Sequence, residues 1–345
     1  MFNKKTFFVK NLSLLLLSLC LIYCKSTEKT TASKIEIYDD TLNSIVNIEA
    51  QIEVLADSIS LPEGPVWDEK NNCLLFVDIL ENKVLKWDEK MGVSDYITPA
   101  GNTGYAPNLK GGILGANGLA INSEGTLILC QHGDRRLAAV EKIEGVTATF
   151  ETLIDHYQGL RFNSPNDLTL ADDGTVFFTD PPFGFLDLES FKFVDTEVKG
   201  LDFNGVYKFN PKNKEVSLVT NAIDLPNGTA LSPDQKTLYV NKMGMLDKQP
   251  KIIKIDLETQ NLETLFDGVE LAKTYDGNFD GMKVHSSGLI FTSGPGGLLI
   301  VSPQGKLMGK IDFGHITNCA FDADENYLYA TGFVSNPKVF RIKLK

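Results

Sequence analysis

Pro165-Asn166-Asp167-Leu168-Thr169-Leu170-Ala171-Asp172-Asp173-Gly174-Thr175-Val176-Phe177-Phe178-Thr179-Asp180 reads as a β-hairpin. An apolar strand follows an Asn, an Asp-Asp-Gly turn reverses the chain, and a second strand rich in β-branched and aromatic residues returns. The same phrase occurs six times. Its first strands begin at Pro62-Glu63-Gly64-Pro65-Val66-Trp67, Ala116-Asn117-Gly118-Leu119-Ala120-Ile121, Pro165-Asn166-Asp167-Leu168-Thr169-Leu170, Pro226-Asn227-Gly228-Thr229-Ala230-Leu231, Phe279-Asp280-Gly281-Met282-Lys283-Val284 and Thr317-Asn318-Cys319-Ala320-Phe321. The spacings are 54, 49, 61, 53 and 38 residues. Each unit has room for four strands, and one such unit cannot bury both of its faces alone, so the pattern predicts an all-β six-bladed β-propeller with four-stranded antiparallel blades over 51–345.

The last unit ends too soon. After Asn318 the chain has room for about three strands, near 318–322, 327–331 and 338–344, so a fourth must come from elsewhere. The alternating Gln51-Ile52-Glu53-Val54-Leu55 is expected to join the last blade as an N-terminal strand and close the ring.

Composition agrees with a globular body. The 345 residues are 43% hydrophobic and 23% charged, which excludes disorder, collagen and coiled coil. A net charge of −12 removes the basic footprint that draws proteins onto phosphate backbones, so no nucleic-acid partner is expected.

The N-terminus reads as a targeting segment. Lys4, Lys5 and Lys10 precede an eleven-residue apolar run, Leu12 to Ile22, too short to span a bilayer as a helix. Leu21-Ile22-Tyr23-Cys24 resembles a bacterial lipobox, apart from the bulky Tyr23. Residues 1–23 are therefore expected to be a signal peptide, Cys24 the lipidated residue, and 24–50 a polar tether. The protein is expected in the bacterial cell envelope, a lipid-anchored monomer in the periplasm. Removing 1–23 takes away three Lys and no acid, so the −12 charge becomes −15. Cys73, Cys130 and Cys319 then remain, each in an apolar run, and buried free thiols are expected.

One position of the repeat carries chemistry. Glu63, Asn117, Asn166, Asn227, Asp280 and Asn318 occupy the same slot at the start of the innermost strand. In a propeller that slot becomes a ring of side chains at one mouth of the central channel. The ring holds two carboxylates and four amides, with neither thiol nor imidazole, a set that suits one divalent cation of the hard class, Ca²⁺ above all, with Mg²⁺, Mn²⁺ and Zn²⁺ as alternatives. The competing reading is that Asn-Gly and Asp-Gly are turn dipeptides, which leaves Glu63 in the slot unexplained. Antiparallel return strands bring Asp78, His132, Asp180 and Asn241 back to the same end. His132, within Gln131-His132-Gly133-Asp134-Arg135-Arg136, is a candidate for substrate contact or proton transfer.

Across nearly all of 51–345 the chain resembles the gluconolactonase and regucalcin (senescence-marker-protein) family of six-bladed propellers. The resemblance rests on Arg161-Phe162-Asn163-Ser164-Pro165-Asn166-Asp167-Leu168, Phe178-Thr179-Asp180-Pro181-Pro182-Phe183-Gly184, Leu225-Pro226-Asn227-Gly228 leading to Ser232-Pro233-Asp234, and Asp280-Gly281-Met282. It implies hydrolysis of a lactone at a single divalent ion held by Glu63, Asn227 and Asp280, with Asn166 at or beside both metal and substrate. Asp280 is then the candidate base, helped or replaced by His132, while Asn117 and Asn166 orient ring hydroxyls of the substrate. The loop Gly101 to Gly118, with Tyr105 and Lys110, is placed to cover the mouth. A related esterase or phosphotriesterase, or a propeller that only binds a ligand, is the alternative.

Overall fold

A computed structural model describes residues 35–345 except 108, 110–111, 195–196 and 334–336. The expected signal peptide and Cys24 lie outside the described residues, as does Lys110.

Six antiparallel sheets form a ring. From the channel outward, the first blade is Pro62–Asp68, Cys73–Asp78, Lys83–Asp88 and Gly92–Ile97, and the second Ala116–Ile121, Leu127–Gln131, Arg136–Glu144 and Thr147–Ile154. The third is Leu168–Leu170, Val176–Asp180, Gly205–Asn210 and Glu215–Thr220, and the fourth Pro226–Leu231, Thr237–Lys242, Lys251–Asp256 and Leu262–Asp267. The fifth begins Met282–Val284, Ile290–Gly294, Gly297–Val301 and Leu307–Ile311. The sixth takes Ile316–Phe321, Tyr327–Gly332 and Lys338–Lys343 from the C-terminus and Ile52–Ala56 from the N-terminus. Ile52 pairs with Ile342 and Val54 with Phe340, so the expected closing strand is observed, shifted by one residue.

An apolar cluster fills each gap between neighbouring blades. Leu75, Val77, Leu119 and Leu129 join the first two, and Phe291, Leu298, Leu328 and Ile342 join the last two. At the closure Trp67 stacks on Tyr329 with ring centroids 5.3 Å apart. Because each sheet buries both faces against its neighbours, closing the ring completes the core. Cys73, Cys130 and Cys319 are free and buried within it.

Residues 35–50 differ from their reading as part of a polar tether over 24–50. Ile35–Ile37 pairs with Leu307–Ile311 as a fifth strand on the fifth blade, with Ile35 opposite Ile311. A short 3-10 helix, Asp40–Ser44, follows, and Leu42 and Val46 are fully buried between the last two blades. Ile35, Leu42, Val46 and Ala50 are buried in this seam and Ile37 and Ile45 pack against it, so the segment docks on a preformed apolar surface. The apolar residues fall in a three-residue strand and around a short 3-10 helix, each too brief to show a sustained period in the sequence.

Candidate active site

The six innermost strands enter the channel from one end, and their first residues form its mouth. In four blades the ladder to the second strand is interrupted there, between Glu63 and Val66, Ala116 and Leu119, Pro226 and Thr229, and Ile316 and Asn318. In the other two, Asn166 and Asp280 precede the paired residues. Such irregularities free a residue from the sheet and re-aim its side chain, here toward the axis.

Adjacent blades are stitched at the same level. The Gly118 amide donates to the Asn166 carbonyl at 2.7 Å, that of Gly228 to Asp280 at 2.9 Å, and that of Gly281 to Thr317 at 2.6 Å. Hydroxyls make two more stitches, Thr179 Oγ1 to the Asn227 carbonyl and Thr317 Oγ1 to the Pro62 carbonyl, both at 2.8 Å. A Cβ on Gly118 would lie 2.7 Å from the Asn166 carbonyl oxygen, and one on Gly228 would lie 2.3 Å from that of Asp280. Neither glycine has positive φ. They are required by the approach of the neighbouring blade, and the turn reading of these two Asn-Gly pairs does not hold.

The ring brings Glu63, Asn227 and Asp280 together. Glu63 is 4% exposed, and its Oε2 accepts from the Gly64 amide at 2.8 Å and from Asn318 Nδ2 at 3.2 Å. Asp280 is hydrogen-bonded to Glu63 and to Asn227 through its side chain. Burial pushes the Glu63 carboxyl up to about 7, with the Asp167 carboxylate adding to the effect. Burial also raises Asp280 well above the carboxylate range, and Glu63 is its next largest cause. Two touching, buried carboxyls cannot both ionise unless a proton or a cation lies between or beside them.

Asn117 and Asn166 are 5% and 2% exposed, yet their side chains make no hydrogen bond to a described residue. Unengaged amides beside a compressed carboxylate pair are what a hard cation or a polyhydroxylated ligand requires. Among the described residues no cluster of three or more His, Cys, Asp and Glu is arranged to hold a metal, so any ion here depends on the amide oxygens as well. All the donors are oxygen, and the set fits a hard divalent ion.

Two residues of the channel escape the sequence reading. Asp167, 2% exposed, accepts from the Leu168 amide at 2.9 Å and from the Thr229 amide at 3.3 Å, and is also bonded by the Asn318 side chain. Lys283 Nζ, from the innermost strand of the fifth blade, stands 4.0 Å from its Oδ2. Asp167 occupies the slot that holds Gly in four other copies of the repeat. That departure was the available signal. Asn318, sixth in the ring, bridges the two layers by bonding both Glu63 and Asp167.

The returning residues reach the mouth and brace it. Asp78 accepts from the Ser60 and Leu61 amides at 2.8 and 3.1 Å, and Asp180 from those of Asn163 and Ser164, both at 2.8 Å. Each carboxylate thus fixes the segment leading into the innermost strand of its blade. Asn241 Nδ2 donates to the Asp280 carbonyl at 2.7 Å.

His132 is fully buried and lies 3.0 Å through Nδ1 from the Ile113 carbonyl, so Nδ1 carries the proton and Nε2 has no partner among the described residues. Burial lowers it to about 4. The adjoining arginines are clamps: Arg135 donates to the Phe162 and Val198 carbonyls at 2.6 Å each, and Arg136 to Gln131 Oε1 at 2.6 Å. Tyr105 is held under Arg136, 3.9 Å from its ring, while its hydroxyl donates to Asp155 at 2.6 Å.

Residues 61–333 match the family model described as the SMP-30/gluconolactonase/LRE-like region. A gluconolactonase of Zymomonas mobilis is 32% identical over 332 residues, 92% of this chain and 87% of that protein. A solved gluconolactonase structure from Xanthomonas campestris superposes with a TM-score of 0.76 at 27% identity, covering 92% of this chain and 96% of the other. A calcium-binding regucalcin from Agrobacterium tumefaciens shares the fold, with a TM-score of 0.62 at 17% identity over 85% of this chain and 94% of its own.

Proposed function

The chain belongs to the SMP-30/gluconolactonase/LRE-like family, and we propose that it is a lactonase opening a sugar-type lactone at the mouth of its propeller with the help of one divalent cation. The observation that carries this reading is the Glu63–Asp280 contact, a buried carboxylate pair within a ring of amides.

Glu63, Asn166, Asn227 and Asp280 are the residues that would hold the cation, and Ca²⁺ suits their all-oxygen set, as it does the calcium-binding Agrobacterium relative. When bound, such an ion supplies Lewis-acid polarisation of an ester carbonyl. The rest of the chemistry falls to the chain. Asp280 takes a proton from the attacking water as the new C–O bond forms at the lactone carbonyl carbon. The ring C–O bond then breaks, and the leaving alkoxide collects that proton to give a hydroxy acid. Asn227 holds the Asp280 carboxylate in place, and Glu63 fixes its other side. Asn117 and Asn166, unengaged among the described residues, orient the hydroxyls of the substrate. His132 offers the Nε2 lone pair as a further acceptor for a substrate hydroxyl, and at about 4 it remains neutral through the working range.

Turnover of glucono-δ-lactone beside a carboxylic ester without a sugar ring and a phosphotriester tests this assignment. Preference for the sugar lactone by at least tenfold in kcat/KM is expected, and a phosphotriester preference would overturn it. We also propose that the protein is exported and anchored through Cys24. A Cys24→Ser variant that stayed in the membrane fraction would end that proposal.

A further inference from the structure

A cavity of about 550 Å³ opens between the fifth and sixth blades, outside the ring described above. Its walls come from loops at the same end of the strands as the mouth, and they include Tyr275, Asp276, Phe313, His315 and Phe333. Two of these loops run directly into the ring. Asp276 precedes Asp280 by four positions, a reach of at most about 14 Å, and His315 precedes Asn318 by three.

The lining has a definite chemistry. Phe333 exposes 38% of its surface and meets the His315 ring edge-on with centroids 5.7 Å apart, so an apolar ring face is presented beside an imidazole. The backbone amide of Phe333 donates to the His315 carbonyl at 2.8 Å, fixing the two rings relative to each other. Neither ring nitrogen of His315 nor the Asp276 carboxylate makes a hydrogen bond to a described residue. Lys310 is already engaged, 3.1 Å from Glu36 and 4.3 Å over the Tyr275 ring, so its charge is answered within the protein. Lys338 also lines the cavity, but Asp276 and Asp312 stand in the same lining, so the walls hold no surplus of positive charge. Aromatic faces with a few free hydrogen-bonding groups suit a polyhydroxylated ring without net charge, whose C–H face packs on an aromatic ring while its hydroxyls bond to carboxylate and imidazole.

We infer that this cavity is a saccharide subsite, which receives a second sugar ring carried by the lactone, so that the preferred substrates are glycosylated aldonolactones. The identity of the substrate rests on the lactonase reading; the saccharide site itself does not.

The test compares cellobionolactone with gluconolactone and measures cellobiose binding by calorimetry, using the wild type, His315→Ala and Phe333→Ala, with thermal melts to verify folding. The disaccharide lactone should show the higher kcat/KM. Each substitution should lower that value about tenfold while leaving gluconolactone turnover within about twofold, and should abolish cellobiose binding. Equal kcat/KM for the two lactones, or variants that slow both alike, would overturn the subsite and leave the lactonase standing. Cellobiose binding that depends on His315, in a protein that hydrolyses neither lactone, would do the reverse. Absence of cellobiose binding to the folded wild type would count against the subsite whatever the turnover.

Discussion

The amide of Gly228 donates a 2.9 Å hydrogen bond to the carbonyl of Asp280, one blade away. The residue after one ring position thus anchors the backbone of the next, so the spacing of the ring side chains is set by glycine contacts between blades. A methyl group on Gly228 would sit 2.3 Å from that oxygen. The site's geometry and the fold's closure therefore depend on the same contacts.

Gly228→Ala should destabilise the protein by about 1–3 kcal/mol, the usual cost of overpacking a tight contact, and weaken cation binding as well. Gly200→Ala is the control, because its Cβ would meet nothing nearer than 3.4 Å. Urea unfolding of the two variants measures the difference, and equal midpoints would show that the contact tolerates a side chain.

The repeat and its closing strand were legible in the sequence because both rest on local patterns: apolar alternation, turn dipeptides and a strand missing from the last unit. The ring was legible because one slot carried oxygen side chains in every copy. Asp167 was not, since it lies one residue off that slot and its role appears only when Asn318 and Lys283 arrive from other blades. Docking of residues 35–50 was hidden too. Leu42, Ile45 and Val46 stand at helical spacing but over a single turn, too short to stand out, and what buries Leu42 and Val46 is a seam built by Phe291, Ile300 and Ile342 far along the chain.

That docked segment yields a second prediction. Deleting 1–34 should leave melting and turnover unchanged. Deleting 1–50 should lower the melting temperature by stripping Leu42 and Val46 from the seam and uncovering the outer edge of the fifth blade. Leu42→Ala alone should cost about 2–4 kcal/mol, since the side chain is fully buried. Equal melts for the two deletions would mean that the segment contributes nothing to the fold.

A third prediction concerns pH. In the cation-free protein Glu63 keeps its proton up to about 7 when folded, against an ordinary value of 4.5. Between these values the folded state binds more protons than the unfolded state, so stability falls as pH rises through the window and stays low above it. Asp180, raised to about 7 by burial, acts in the same direction. His132, lowered to about 4, acts in the opposite sense, removing stability as pH falls from 6.5. Comparing wild type with Glu63→Gln in chelator at pH 5 and pH 8 reads the Glu63–Asp280 pair, because the substitution also relieves the charge that helps to raise Asp280. The loss on going to pH 8 should be smaller in the variant by about 1–3 kcal/mol. Identical losses would show that Glu63 is ionised throughout.

The fourth separates ligand from base. Glu63→Gln and Asp280→Asn each remove one charge from the ring, and both should weaken cation binding. Saturating cation should restore most of the activity of Glu63→Gln, whereas Asp280→Asn should remain slow by 10²–10⁴-fold, the usual contribution of a general base. Equal rescue would leave Asp280 as a ligand only, and His132→Gln would then be the informative variant.

Most direct is a chelation and reconstitution series on gluconolactone hydrolysis, with thermal melts recorded on the same samples. Chelator should abolish turnover and lower the melting temperature, because an ion held by residues from several blades binds only the folded ring, and a ligand at a hundred times its Kd adds about 2.7 kcal/mol. Adding back Ca²⁺, Mg²⁺, Mn²⁺ or Zn²⁺ singly should restore both together, Ca²⁺ most fully. Full turnover in exhaustively chelated protein, with an unchanged melt, would contradict the claim that the Glu63–Asp280 pair exists to hold a cation.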